Sequence, residues 1–177
     1  GWAVALPSYG VWPDVRVAEI GRQIAAAVEA AAKDVDGPIR LAGHSAGGHL
    51  VTRLVSATSP LKAAIRGRIA HTVSISGLHD LRSLMKTEMN AVLALDEAEA
   101  IAESPALLRP MDGARVLCWV GGAERSEFIR QSELLANIWI GLGARTALVV
   151  EPDRNHFNII DGLADASHPL TDALLAD

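Results

Sequence analysis

Short apolar runs alternate along the chain with longer stretches whose apolar positions recur every three or four residues. Residues 2–6, 38–42, 71–75, 115–120 and 145–150 are predicted as buried strands by their length, β-branched content and flanking Gly or Pro. Between the first two, Ile20, Ile24, Ala27, Val28 and Ala31 share one helical face, which predicts a helix from Val17 to Ala32. Asp36-Gly37-Pro38 stops that helix and turns the chain into the next strand. Residues 46–57 and 126–141 are predicted as further helices, the second ended by Gly141-Leu142-Gly143. Strands alternating with helices predict an α/β fold with a mostly parallel sheet covered on both faces, because parallel neighbours need crossover connections. Residues 77–110 break the rhythm. Ser76-Gly77-Leu78-His79-Asp80 leaves a strand, Asp96 is placed to cap a short helix, and Ser104-Pro105 leads back toward the sheet. An excursion of this length is expected to serve as a lid or substrate wall.

Composition narrows the function classes. A chain of 177 residues fits one domain with a core of its own, and half of its residues are hydrophobic. The net charge of -5, with Lys and Arg scattered, excludes a basic footprint for nucleic acid or anionic membrane. The single cysteine, Cys118, sits in an apolar run and reads as a reduced, buried hydrophobe. No apolar run is long enough to span a bilayer and none resembles a signal peptide, so a cytoplasmic protein is expected. Gly1-Trp2-Ala3-Val4-Ala5-Leu6 opens the chain as if inside a core strand, which raises the expectation of further sequence upstream.

The most informative segment is Leu41-Ala42-Gly43-His44-Ser45-Ala46-Gly47-Gly48-His49-Leu50. A predicted strand enters it and a predicted helix leaves it, the context of a nucleophile elbow. So tight a turn needs residues without bulk two before and two after the nucleophile, a need that Gly43 and Gly47 meet. Ser45 is thereby lifted above the strand ends, and the Ala46 N–H at the helix start is placed to stabilise an oxyanion. A Gly-rich turn can instead hold a phosphate on its amides. The segment fits neither Gly-x-Gly-x-x-Gly nor a P-loop, and the nucleophile reading prevails.

A serine nucleophile needs a base, and the base needs an orienting acid. Two loops beyond late strands offer them: Gly121-Gly122-Ala123-Glu124-Arg125-Ser126-Glu127 and Glu151-Pro152-Asp153-Arg154-Asn155-His156. His156 is the expected base. Glu124 is preferred over Glu127 as the acid, since Glu127 falls in the first turn of a helix, where a carboxylate suits the dipole. His44 and His49 are expected to pack near the top of the sheet. His71, His79 and His168 show no metal-ligand spacing, so no metal site and no cofactor are expected. Trp12, Trp119 and Trp139 are expected in the core or a pocket wall.

Gly43-His44-Ser45-Ala46-Gly47-Gly48-His49-Leu50, Ser126-Glu127-Phe128-Ile129-Arg130-Gln131-Ser132 and Arg154-Asn155-His156-Phe157 together resemble the kynurenine formamidase branch of the α/β-hydrolases. That branch stands with the esterases similar to hormone-sensitive lipase. Tyr9-Gly10-Val11-Trp12-Pro13-Asp14 and Ser76-Gly77-Leu78-His79-Asp80-Leu81 resemble it too, so the likeness covers essentially the whole chain. It implies an α/β-hydrolase fold whose first strands are absent, with Gly1 standing at the fourth strand. A His-Gly-Gly segment that completes the oxyanion hole in such enzymes would then lie upstream. It also implies a Ser45/Glu124/His156 triad, with Glu where many relatives carry Asp, and hydrolysis of N-formyl-L-kynurenine in tryptophan breakdown. The alternatives are a carboxylesterase on small acyl esters and an inactive remnant that only binds ligands or partners. A small-molecule substrate and a homodimer complete the expectation.

Overall fold

The computed structural model describes residues 1–11 and 13–175. The helical face read from the apolar spacing forms α1 (Val17–Asp34), which buries Ile24, Ala25 and Ala32. Gly37 then takes a left-handed φ of 97°, and the chain enters β1 (Ile39–His44). It continues through α2 (Ala46–Leu54), α3 (Ala63–Arg66), β2 (Ile69–Ile75), α4 (Asn90–Leu93) and α5 (Glu97–Ala102). The last elements are β3 (Arg115–Gly121), α6 (Ser126–Gly141), β4 (Arg145–Glu151) and α7 (Pro169–Leu175). The four strands lie in chain order, each parallel to its neighbour.

Side-chain alternation divides the strands between two cores. On one face Leu41, Val116 and Cys118 meet Ile24 and Ala25 of α1, Leu50 and Leu54 of α2, and Leu135 and Trp139 of α6. On the other, Val73, Ile75, Leu117 and Trp119 meet Ile159 and Leu170, the latter from α7. Trp119 and Trp139 are thus core residues, while Trp12 lies outside the described residues. Cys118 is buried and unpaired, and desolvation pushes its thiol up to about 12.

Two expectations need correction. Residues 2–6 form no strand: Val4 and Leu6 are 82% and 91% exposed, and the Trp2 ring instead lies 4.5 Å from the Arg40 guanidinium. A strand is a property of a backbone pair, and apolar content supplies no partner. The helix expected over 46–57 ends at Leu54. Past that point the backbone serves another segment, with Ala57 N–H donating to Arg109 O and Met111 N–H to Val55 O.

The excursion at 77–110 builds a small core of its own around Leu81, Leu95 and Ala100. Asp96 caps α5 by accepting from Glu99 N–H at 2.8 Å. Arg53 of α2 holds Glu103 at 2.9 Å in an ion pair that is mostly shielded from solvent.

Beneath this segment lies a layer of buried polar groups. His49 Nε2–H donates to Glu103 O at 2.7 Å, and the His79 ring sits 3.3 Å from both Thr52 Oγ1 and Ser74 Oγ. Burial holds both imidazoles neutral, pushing His49 down to about 4 and His79 to about 3. Both pKa values are depressed on folding, so their stabilisation is complete above about pH 6.5, the ordinary histidine value. It is lost as pH falls toward 4 and below, where the unfolded chain binds more protons. Chemical denaturation between pH 7 and 4.5 should therefore show stability falling with pH. In His49→Gln the slope should be shallower by about one proton, or about 1.4 kcal/mol per pH unit. An unchanged slope would place the acid sensitivity elsewhere.

Candidate active site

Ser45 joins β1 to α2 with φ 57° and ψ -115°. A non-glycine residue there is strained by about 1–3 kcal/mol. The turn holds because its amide stays in the sheet's ladder: Ser45 N–H donates to Ile75 O at 2.9 Å. The turn is so tight that a Cβ at Gly43 would overlap the backbone carbonyl of Gly47. Gly47 itself has open space where its Cβ would stand. The expected need for two small residues is therefore a need for one, because the crowding is Gly43 against the peptide that joins Gly47 to Gly48. Ala46 is the first residue of α2, and its N–H is one of the amides a helix leaves without an internal partner.

The strand registers set Gly43 beside Ser74, Ile75 beside Trp119, and Gly121 beside Glu151. The loops that leave these ends converge. His156 Nε2 lies 3.1 Å from Ser45 Oγ, and His156 Nδ1 lies 2.8 Å from Glu124 Oε2. A carboxylate only accepts, so Nδ1 carries the proton and Nε2 is free to accept from the serine hydroxyl. The Glu124 side chain is fully buried. Its other oxygen, Oε1, accepts from Gly121 N–H at 2.8 Å and from Ser76 Oγ–H at 2.5 Å. Three donors thus converge on the Glu124 carboxylate and hold it in place behind the imidazole.

Glu127 stands apart from this chain. It sits in the first turn of α6 and binds Arg130 through both oxygens at 2.7 Å. The Arg130 guanidinium holds its carboxyl down at about 2. Gln131 Nε2 also donates to it at 2.8 Å, while Gln131 Oε1 accepts from His79 N–H and Asp80 N–H. Glu127 thus braces the start of the excursion.

The His156 ring is held from several sides. Phe128 stacks on it at 4.1 Å, His44 tilts against it at 4.6 Å, and Phe157 meets it edge-on at 5.8 Å. His44 Nε2–H donates to His156 O at 2.8 Å, and burial, followed by the repulsion of a charged His156, lowers its pKa. The loop bearing His156 is tied to the loop bearing Glu124 by Gly122 N–H to Glu151 O and Ala123 N–H to Arg154 O. The Glu151 carboxylate in turn accepts from Trp119 Nε1–H at 2.7 Å and Arg154 Nε–H at 2.9 Å, and it lies 3.3 Å from His168 Nε2.

Ser76, Glu151 and Gln131 did not stand out in the sequence. The available signal was position: Ser76 directly follows β2 as Ser45 follows β1, and Glu151 ends β4 beside Gly121 at the end of β3. Among the described residues no group of three His, Cys, Asp or Glu side chains is placed to hold a metal ion. Nor does any helix there have the length and apolarity to cross a membrane.

No family model matches the chain. It is 29% identical over 185 residues to a kynurenine formamidase of Salmo salar and 27% identical over 184 residues to one of Danio rerio. Each alignment takes in 99% of this chain, which spans 62% of the length of either relative. Among solved structures, a Silicibacter protein named provisionally as a thioesterase matches with a TM-score of 0.92 and 47% identity. That match covers 99% of this chain and 65% of that one. An esterase of Pyrobaculum calidifontis matches with a TM-score of 0.71 at 18% identity, covering 94% of this chain and 63% of its own. The fold is that of the α/β-hydrolase esterases, and the sequence is similar to the kynurenine formamidases.

Substitutions separate the roles of these residues. Glu124→Gln should slow labelling of Ser45 by a fluorophosphonate probe by roughly 10⁴-fold, as loss of a triad acid's charge does elsewhere. Glu127→Gln should slow it by less than about tenfold and lower the melting temperature instead. The reverse ranking would move the acid's role to Glu127. Gly43→Ala should cost more than about 3 kcal/mol, since backbone cannot yield as a side chain can, whereas Gly47→Ala in α2 should be neutral or stabilising by about 0.5–1 kcal/mol. Thermal melts of the two variants decide this.

Proposed function

We propose that this chain carries the reacting groups of a serine hydrolase that cleaves a formamide by acyl transfer to water. N-formyl-L-kynurenine is the substrate, and L-kynurenine and formate are the products. The observation that carries the reading is the hydrogen-bonded chain from Ser45 through His156 to Glu124. The likeness to the kynurenine formamidases supports the choice of substrate.

In this mechanism His156 Nε2 takes the Ser45 proton as Oγ attacks the formyl carbon. The carbonyl oxygen gains negative charge, and Ala46 N–H, aided by the positive end of α2, stabilises it. Glu124 keeps the imidazolium oriented and balances its charge. As the C–N bond breaks, His156 gives its proton to the leaving aniline nitrogen. A formyl ester on Ser45 remains. Water, deprotonated by His156, attacks that ester, and its collapse returns the proton to Ser45 Oγ and releases formate. No cofactor takes part.

The same groups cleave an ester, and the esterase folds among the structural neighbours favour a carboxylesterase on small acyl esters as the second reading. The excursion at 77–110 serves in either case as a substrate wall. We place the reaction in the cytoplasm, in tryptophan breakdown, and the enzyme as a homodimer acting on small molecules.

Hydrolysis of N-formyl-L-kynurenine and of p-nitrophenyl acetate should be compared in one preparation. A kcat/KM at least tenfold higher for the formamide, lost by roughly 10⁴-fold or more in Ser45→Ala, is the expected result. Higher kcat/KM for the ester selects the esterase. If a fluorophosphonate probe leaves Ser45 unlabelled, the chain is a binding protein of the hydrolase fold.

A further inference from the structure

We propose that Ser76 is a positioning residue of this site: its hydroxyl fixes one oxygen of Glu124 so that the other faces His156 Nδ1. The proposal rests on the serine hydrolase reading and adds a fourth member to its hydrogen-bonded chain. Ser76 follows β2 directly, as Ser45 follows β1. It is completely buried, with a left-handed φ of 48° that a serine adopts only under constraint. Two bonds supply the constraint. Ser76 N–H donates to Trp119 O at 2.7 Å, and Ser76 Oγ–H donates to Glu124 Oε1 at 2.5 Å.

Glutamate has three side-chain torsions, so a single bond to His156 leaves its carboxylate free to rotate. The Gly121 N–H and the Ser76 hydroxyl, arriving at the same oxygen, remove that freedom. They also withdraw charge from the carboxylate by hydrogen bonding. Without the hydroxyl the anion is bound by one donor fewer, pairs more strongly with a protonated His156, and sits less well aligned. Two consequences follow for the serine: a slower reaction at every pH, and activity that requires a higher pH to appear. Ser76 is shielded from solvent and touches no substrate, so KM should not change.

The experiment compares the unaltered protein with Ser76→Ala, which keeps the backbone strain, and Ser76→Gly, which relieves it. The first readout needs no turnover: the proton NMR resonance of His156 Nδ1–H, assigned by its loss in His156→Gln. Both variants should shift it relative to the unaltered protein. The second is the rate of fluorophosphonate labelling against pH, whose acidic limb should move upward by a few tenths of a pH unit or more. Wherever N-formyl-L-kynurenine is turned over, kcat should fall about tenfold with KM unchanged. A resonance and an acidic limb that stay in place in both variants would overturn the proposal, and would leave Ser76 a structural residue. A shift in Ser76→Ala that Ser76→Gly lacks would also overturn it, since the backbone and not the hydroxyl would then be responsible. Absence of labelling in the unaltered protein defeats the hydrolase reading alone, because the resonance still reports on Ser76.

Discussion

Three backbone hydrogen bonds hold the candidate site in register: Ser45 N–H to Ile75 O, Ser76 N–H to Trp119 O, and Gly122 N–H to Glu151 O. Each carries the parallel ladder one step beyond a strand's last residue. Each also links adjacent strands, so together they hold the four C-terminal strand ends level with one another. Ser45, Ser76, Glu124 and His156 then need only short reaches to meet, because the loops that bear them start from one line. Parallel order is what makes this possible. Antiparallel neighbours would send alternate strand ends to opposite edges of the sheet.

The buried side chains behind that edge keep the line rigid. Gln131 satisfies His79 N–H and Asp80 N–H where the chain leaves β2, and Glu127 and Ser83 stand within reach of its amide nitrogen. Glu151 performs a similar service at β4, gathering Trp119 and Arg154 at the root of the His156 loop. Gly121 is crowded for the same reason, since a Cβ there would overlap the Arg154 carbonyl. The two loops that carry Glu124 and His156 thus share backbone bonds and form one unit. A disturbance at Arg154 or Glu151 would be felt at His156 without touching Ser45.

The fold was legible where a signal is local. The strands near Leu41, Val73, Leu117 and Val149 announce themselves by short apolar runs with some β-branched residues between turn residues. The elbow announces itself because Gly43, Ser45 and Gly47 lie within five positions. Residues 2–6 misled, because their apolar run described a segment fit for pairing and could not say whether a strand lies beside it. Ser76 stayed hidden for a related reason. Its partner Glu124 is 48 residues away, and only the register of β2 against β3 brings them together. Glu124 and Glu127 could be separated only by preference, since which of them faces His156 depends on where α6 begins. The structure starts α6 at Ser126, which commits Glu127 to Arg130 one turn on and leaves Glu124 in the loop.

Strain is concentrated on the same edge. Among the described residues four non-glycine residues have a left-handed φ, and Ser45, Ser76 and Asp153 are three of them. Each follows a parallel strand within two residues, where the chain must turn sharply to bring a side chain over the sheet. At about 1–3 kcal/mol apiece, the three together rival the net stability of an ordinary domain. Relaxing any one would be favourable locally, yet none can relax alone. Ser45 is pinned by the overlap that Gly43 just avoids and by its bond to Ile75. Ser76 is pinned between Trp119 and Glu124. Asp153 lies between Glu151 and Arg154, whose side chains are bonded to each other. The two apolar cores on either face of the sheet fix the strands from which these residues depart. The strained edge is therefore held by packing well away from it, and core substitutions that loosen β2 against β3 should disturb the Ser76–Glu124 bond before they unfold the chain.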